Sequence, residues 1–244
     1  MRSKKTPKEL RNSIKDHFEA ISIDYDTYKK HSYYYYNQLQ SLLKDLIPDH
    51  SQKKIIEVGC ATGTLLAGLE PAKGMGIDIS ENMIRIAKDR WDHISELKFK
   101  VGEAEKLEIE ECWEVVILSD VIEHLYDPAA AISRFSEVFM PGTILVITWA
   151  NSIWEPILHF LEMFKLKMPE GEHNWESRKT VIELLRRNCF QIVEEGTRCL
   201  IPAKLPFSDF INRFYRQIPL LKRAGLIRFV KAVRTNLTES GRKN

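Results

Sequence analysis

Glu57, Val58, Gly59, Cys60, Ala61, Thr62 and Gly63 end a short apolar run with small side chains at alternate positions. Gly59, Ala61 and Gly63 leave main-chain N–H groups open to a ligand, which suits a loop that feeds a helix and holds a nucleoside or an anion. Position 64 is threonine, so the Gly-x-Gly-x-x-Gly spacing of a dinucleotide pyrophosphate cradle is not met. About twenty residues on, Asp78 closes a second apolar run, where a carboxylate can accept hydrogen bonds from ribose hydroxyls. A third segment, Val101-Gly102-Glu103-Ala104-Glu105, offers a carboxylate at Glu103 to an adenine amino group. Loop, acid and third segment together point to one nucleoside ligand.

Those groups converge only if the chain alternates strands and helices. Apolar residues at helical spacing predict a helix over 33–46, stopped by Pro48 and Asp49. Strands are expected over 54–58, 74–79, 97–101, 114–118 and 143–149, and helices over 64–70, 81–90 and 127–139. Pro128 suits the first turn of the last of these helices, and Pro141-Gly142 ends it. Beyond lie a helix over 178–188, a strand over 190–197 and a last strand over 226–233, with residues 206–223 as an inserted helical segment. This rhythm predicts an α/β fold with a Rossmann-like, doubly wound, mostly parallel seven-stranded sheet ending in an antiparallel hairpin. One structural domain is expected, with residues 1–50 as an N-terminal helical lid and 51–244 as the core, carrying a helical insertion near 203–225.

From Glu57 to about Trp149 the chain resembles the class I S-adenosylmethionine-dependent methyltransferases. The run 55–63 resembles the family's first motif, with Ala61 in place of its usual middle glycine. Gly76-Ile77-Asp78-Ile79-Ser80 with Met83 resembles the second motif, and Gly102-Glu103-Ala104-Glu105 the third, with Glu103 where aspartate is commoner. Residues 116–125, running through Ser119, Asp120 and His124, resemble the fourth motif of small-molecule enzymes, including the quinone-type O-methyltransferases. The resemblance implies S-adenosyl-L-methionine as cofactor, with S-adenosyl-L-homocysteine as product. Its methionine part would lie against Glu57, Gly59, Cys60, Ala61 and Gly63, and the ribose against Asp78. Ile79 and Met83 would flank adenine, with Glu103 at its amino group; Asp120 would approach the methionine amino group, and Ala104 and Ser119 would also contact the cofactor. Taken singly, the glycines could serve a tight turn and Asp78 could cap the helix begun at Ser80.

Methyl transfer from a sulfonium needs an in-line nucleophile, little water and in some cases a base. His124 is the candidate base, since imidazole titrates near neutral pH. The alternative is a loop histidine bonded to a backbone carbonyl. In related enzymes an N-terminal helical lid covers cofactor and substrate. That places Tyr25 at the cofactor and, of the run at 33–36, Tyr33 and Tyr36 at the acceptor, because four consecutive tyrosines cannot share one helix face. Asn151, Trp154, His173 and Trp175 add polar and aromatic groups suited to acceptor recognition.

Residues 1–15 lack the apolar core of a secretory signal, no apolar run could span a bilayer, and the four cysteines show neither paired nor metal-ligand spacing. A cytoplasmic, metal-free enzyme with buried thiols is expected. Residues 203–244 hold ten Lys or Arg against two acids, a balance that suits a solvated helix face or contact with anionic lipid, nucleic acid or a lipid-linked acceptor. A nucleic-acid methyltransferase is disfavoured, because Ser119-Asp120-Val121-Ile122 stands where base-amine enzymes carry Asn or Asp before Pro-Pro-Tyr or Phe. A non-catalytic cofactor-binding module is the other alternative.

Overall fold

A computed structural model of the chain describes residues 6–163, 171 and 177–236. Three helices come first, α1 (Pro7–Ile21), α2 (Tyr25–His31) and α3 (Tyr33–Leu46). Then follow β1 (Lys54–Val58), α4 (Thr64–Gly68), β2 (Lys73–Asp78), α5 (Glu81–Trp91), β3 (Leu97–Val101), β4 (Val115–Ser119), α6 (Pro128–Val138) and β5 (Ile144–Ala150). The remainder is α7 (Glu155–Met163), α8 (Arg178–Arg187), β6 (Phe190–Arg198), α9 (Ser208–Phe214) and β7 (Ile227–Arg234).

The strands form one sheet in the order β3-β2-β1-β4-β5-β7-β6. β1 to β5 pair in parallel, and β7 runs antiparallel to both β5 and β6, as expected for the terminal hairpin. Successive residues of a strand face opposite sides, so Ile55 and Ile56 enter different cores although both are fully buried. One core joins the sheet to Leu39, Leu43 and Leu46 of α3 and to α4 and α5. The other joins it to Phe135 of α6 and Leu185 of α8, and holds Trp149. Apolar residues on both faces explain the near-continuous hydrophobic runs of the central strands.

Two elements fall short of expectation, each because of a proline. α4 ends at Gly68 rather than at residue 70. Pro71 disfavours helical backbone at the residue before it, and Glu70 sits in the left-handed region with φ 48°. In the expected insertion only α9 and a 3₁₀ turn, Tyr215–Gln217, are helical, since Pro219 holds Ile218 extended. Among the described residues, no helix is long and apolar enough to cross a membrane. Cys60, Cys189 and Cys199 are buried, whereas Cys112 is exposed.

Candidate active site

The sheet reverses direction of growth between β1 and β4, and there the loops at the strands' carboxyl ends diverge to leave a crevice. A cavity of about 450 Å³ occupies it, lined by segments following all of β1 to β5 and roofed by α1 to α3. Its floor is main chain. Gly59 has φ 77°, and a Cβ there would lie 2.3 Å from Val121 Cγ2. The N–H groups of Gly59 and Cys60 both donate to Ile77 O, at 2.7 and 3.0 Å, and Ala61, at φ 46°, donates to Asp78 Oδ2 at 2.8 Å. Gly63 starts α4 at φ 73°, where a Cβ would strike Phe99 Cε1 at 2.6 Å. It serves the turn and the packing, and is not among the cavity-lining residues.

Asp78 couples this loop to the next one. Its other oxygen accepts from Ser80 N–H at 2.9 Å, while the helix cap is Ser80 itself, whose hydroxyl accepts from Met83 N–H at 3.1 Å. Asp78 is therefore a brace between loops rather than the cap of α5. Burial pushes its carboxyl up to about 6, against the two N–H bonds. Glu57, also buried, accepts from Leu66 N–H at 3.1 Å and is pushed up to about 8 by burial, against the charge of Lys29. Ile79 lines the cavity; Met83 is fully buried and does not.

The third and fourth segments supply the remaining walls. Glu103 reaches the cavity, but its carboxylate is shared by Arg11 at 2.5 Å, Tyr126 Oη at 3.2 Å and Lys106 at 3.2 Å. The Arg11 guanidinium chiefly holds it down at about 2. Ala104 is buried beside it. Ser119 is buried, and its hydroxyl has no hydrogen-bond partner among the described residues. Asp120 sits at φ 54° and accepts from Tyr35 Oη at 2.7 Å and from Thr148 Oγ1 at 3.1 Å. His124 ends a 3₁₀ turn, Ile122–His124, braced by Ala150 N–H donating to Glu123 at 3.4 Å. Its ring meets Phe18 of α1 edge-on, with centroids 5.4 Å apart.

The roof brings in groups the sequence reading passed over. Lys29 of α2 places its ammonium 4.7 Å from the ring centroids of both Tyr25 and Tyr36. Burial lowers its pKa, opposed by Glu57, Asp26 and Asp120. All four tyrosines of the 33–36 run line the cavity, against the expectation of one or two. They occupy the first turn of α3, which the cavity wraps, so residues pointing in different directions reach it. Tyr34 meanwhile donates to Asp209 at 2.8 Å.

Polar latches hold the roof down. Glu19 of α1 accepts from the N–H groups of Glu81 and Asn82, at 2.6 and 3.1 Å, capping α5 from outside, and Lys15 pairs with Glu81 at 2.7 Å. Asp26 of α2 accepts from Thr62 Oγ1 at 3.0 Å and pairs with Arg90.

Two expected acceptor residues are placed elsewhere. Asn151 is fully buried, donates to Arg223 O and Gly225 O, both at 2.9 Å, and accepts from Arg228 at 2.9 Å. Trp154 donates to Ala224 O at 2.7 Å. Both tie the end of β5 to the segment before β7, because a polar group carried inward there must find backbone partners. Neither is among the cavity-lining residues. His173 and Trp175 lie outside the described residues. Among the described residues no cluster of three or more His, Cys, Asp or Glu could hold a metal.

A family described as a methyltransferase domain matches residues 49–198, more than half of the chain. The chain belongs to the class I S-adenosylmethionine-dependent methyltransferases. It is 27% identical over 143 residues to the ubiquinone biosynthesis O-methyltransferase of Bradyrhizobium sp. (strain ORS 278), covering 54% of this chain and 55% of that protein. It is 26% identical over 157 residues to the malonyl-[acyl-carrier protein] O-methyltransferase of Bacillus cytotoxicus, covering 62% of this chain and 55% of that one. The chain thus spans about half the length of these curated relatives. Among solved structures, magnesium protoporphyrin IX methyltransferase from Synechocystis PCC 6803 with bound SAH shares the fold with TM-score 0.67 at 17% identity, over 92% of this chain and all 100% of that one. A possible histamine N-methyltransferase from Thermotoga maritima matches with TM-score 0.69 at 18% identity, over 91% of this chain and 100% of that one.

Proposed function

We propose that this protein is a cytoplasmic enzyme that transfers the methyl group of S-adenosylmethionine to an oxygen of a small molecule with an apolar body. The observation that carries the reading is one cavity lined by two unlike sets of groups. One set is the buried acids Glu57 and Asp78, the Ser119 hydroxyl, which has no partner among the described residues, and a Gly59 cradle that a Cβ would fill. The other is Phe18, Leu125, Leu158, Leu161 and Leu226. His124 joins them, following Ser119 and Asp120 along the chain and packing against Phe18. Oxygen as the target is supported by the two O-methyltransferases among the relatives. Buried free thiols at Cys60 and Cys199 support a reducing compartment.

The residues present fit the cofactor. Asp78 would accept from the ribose hydroxyls, with Ile79 and Ala104 beside adenine and Glu103 at its amino edge. Main chain at Gly59 to Ala61 would face the methionine part, with Glu57 and Asp120 toward its ammonium and Lys29 toward its carboxylate. When bound, the cofactor supplies a methyl group on a cationic sulfur, open to in-line attack. Phe18 and the leucines exclude water and hold the acceptor's apolar body. His124 accepts the acceptor hydroxyl's proton at an imidazole nitrogen as the oxygen attacks.

Isothermal titration against adenosylmethionine, followed by assays of the S-adenosylhomocysteine product over a panel of phenols and carboxylic acids, tests the reading. His124→Ala should keep cofactor affinity within about twofold and lower kcat by about 100-fold or more. Undiminished kcat in this variant would remove the base and leave positioning as the source of rate. Failure of the wild-type protein to bind adenosylmethionine would overturn the function itself.

A further inference from the structure

Helix α9 is built inside out. Its buried positions are Ser208 and Asn212, followed one turn later by Tyr215. Asn212 donates to Tyr34 Oη and Ile201 O and accepts from Ile201 N–H, at 2.8 to 3.0 Å, while the Ser208 hydroxyl is buried with no partner among the described residues. The side turned outward carries Phe210, 65% exposed, and Phe214, with Phe207 before them at 79% and Leu220 after them at 91%. A helix that packs only for stability in water shows the opposite arrangement. Phe207 moreover sits at φ 65°, a conformation that bulky residues rarely adopt.

A second apolar surface lies on α7 and the turn before it. Ile153, Ile157 and Met163, of α7 and the turn before it, are at least half exposed. The start of that turn is pinned to residues 223–225 by the bonds of Asn151 and Trp154. Leu158 and Leu161 of α7 line the cavity, as do Pro202, Ala203 and Lys204 in the segment leading to α9. The exposed charges of the chain from Leu205 to Ala224 are mostly cationic, while α7 adds the exposed acid Glu155. Arg213, Arg216, Lys222 and Arg223 are all exposed, and the segment's one acid, Asp209, is paired with Lys204.

We infer that this face docks on an anionic lipid surface. Aromatic and aliphatic side chains would enter the boundary between headgroups and acyl chains, and the four cations would meet lipid phosphates. Charge decides for this occupant over a second copy of the chain, since two such faces would bring like charges together. Docking there brings the cavity-lining residues of α7 and of the segment before α9 near the membrane surface. That the cavity receives an acceptor carried by the bilayer rests on the proposed methyl transfer; the docking does not.

The test is co-sedimentation of the full chain with vesicles of phosphatidylcholine alone and of phosphatidylcholine mixed with phosphatidylglycerol, without any acceptor. Binding is expected to the mixed vesicles and to weaken as salt is raised. Phe207→Ser with Phe210→Ser and Phe214→Ser should abolish it while leaving adenosylmethionine affinity unchanged, which also shows that the variant is folded. Replacing Arg213, Arg216, Lys222 and Arg223 by Gln one at a time should cost about fivefold each at low salt. Phe207→Trp should shift its fluorescence to the blue on binding. Wild-type protein that stays in the supernatant at every composition, or a triple-Ser variant that binds as well as wild type, would overturn the inference. So would a wild-type dimer that ignores vesicles and becomes monomeric in the triple-Ser variant. Cofactor titration on the same samples separates failure of docking from failure of the methyltransferase reading.

Discussion

Where the cavity floor meets its ligand with main-chain groups and small residues, at Gly59, Cys60 and Ala61, the roof reaches in with side chains: Lys29, Tyr25, Tyr35, Tyr36 and Phe18. The floor is fixed by a chain of bonds from Ile77 and Asp78 that leaves little freedom, and the crowding of Gly59 against Val121 forbids a larger residue. The roof is fixed by latches such as Arg11 with Glu103 and Glu19 on the first turn of α5, most of them near solvent. A floor of this kind recognises the shape common to one cofactor. A roof of this kind can be retuned to another acceptor without disturbing the floor.

The comparison breaks most sharply at Asp78. Asp78→Ala removes the acceptor for the N–H groups of Ala61 and Ser80 and the proposed acceptor for ribose, so cofactor affinity should fall by about 100-fold or more, or about 3 kcal/mol. Calorimetry reads this directly. An affinity within a few-fold of wild type would mean that the roof, not the floor, carries cofactor recognition.

A second effect comes from the floor's buried acids. A carboxyl whose folded pKa is raised holds an extra proton in the native state. Its contribution to stability is therefore full below the unfolded pKa and lost as pH rises through the folded one. For Glu57 the window runs from its ordinary 4.5 to about 8, and for Asp78 from 3.8 to about 6. Ligand-free protein should therefore lose stability steadily between pH 5 and pH 8, read as a falling Tm. Glu57→Gln should flatten that slope. A melt that is level over this range in both proteins would show the acids to be ionised and paired in the native state.

The roof gives a smaller, mixed effect. Lys29→Met keeps the side chain's length and its packing between Tyr25 and Tyr36 but removes the buried charge. The ligand-free melt should rise slightly, since a buried cation is costly, while adenosylmethionine binds about tenfold more weakly for want of a partner to its carboxylate. If both stability and affinity fell, Lys29 would be a structural residue of the roof.

Floor and roof also differed in how far they could be read from the residues alone. The floor is short-range: strand, small-residue turn and acid follow within about twenty residues, a spacing that carries its own chemistry. The roof's partners are distant in the chain, as with Lys29 and Glu57 or Tyr35 and Asp120, and no local pattern pairs them. Asn151 and Trp154 misled for a related reason, since their positions after β5 gave no hint that backbone carbonyls at residues 223–225 needed donors. One signal was available and unread. Thr6-Pro7-Lys8-Glu9 is a capping box with proline in the first turn, and it begins α1.

Ala61 offers the finest adjustment of the floor. At φ 46° its Cβ is crowded by its own backbone, where glycine would be at ease. Ala61→Gly relieves that strain but frees the unfolded chain, and the two effects nearly cancel. The expected result is a gain of about 0.5 kcal/mol, seen as a Tm higher by about 1–2 °C, with cofactor affinity unchanged within about twofold. Affinity should hold because the N–H that Ala61 donates to Asp78 is the same in both residues. A clear loss of affinity would instead show that the methyl group of Ala61 touches the ligand, and the floor would then recognise its cofactor with side chains as the roof does.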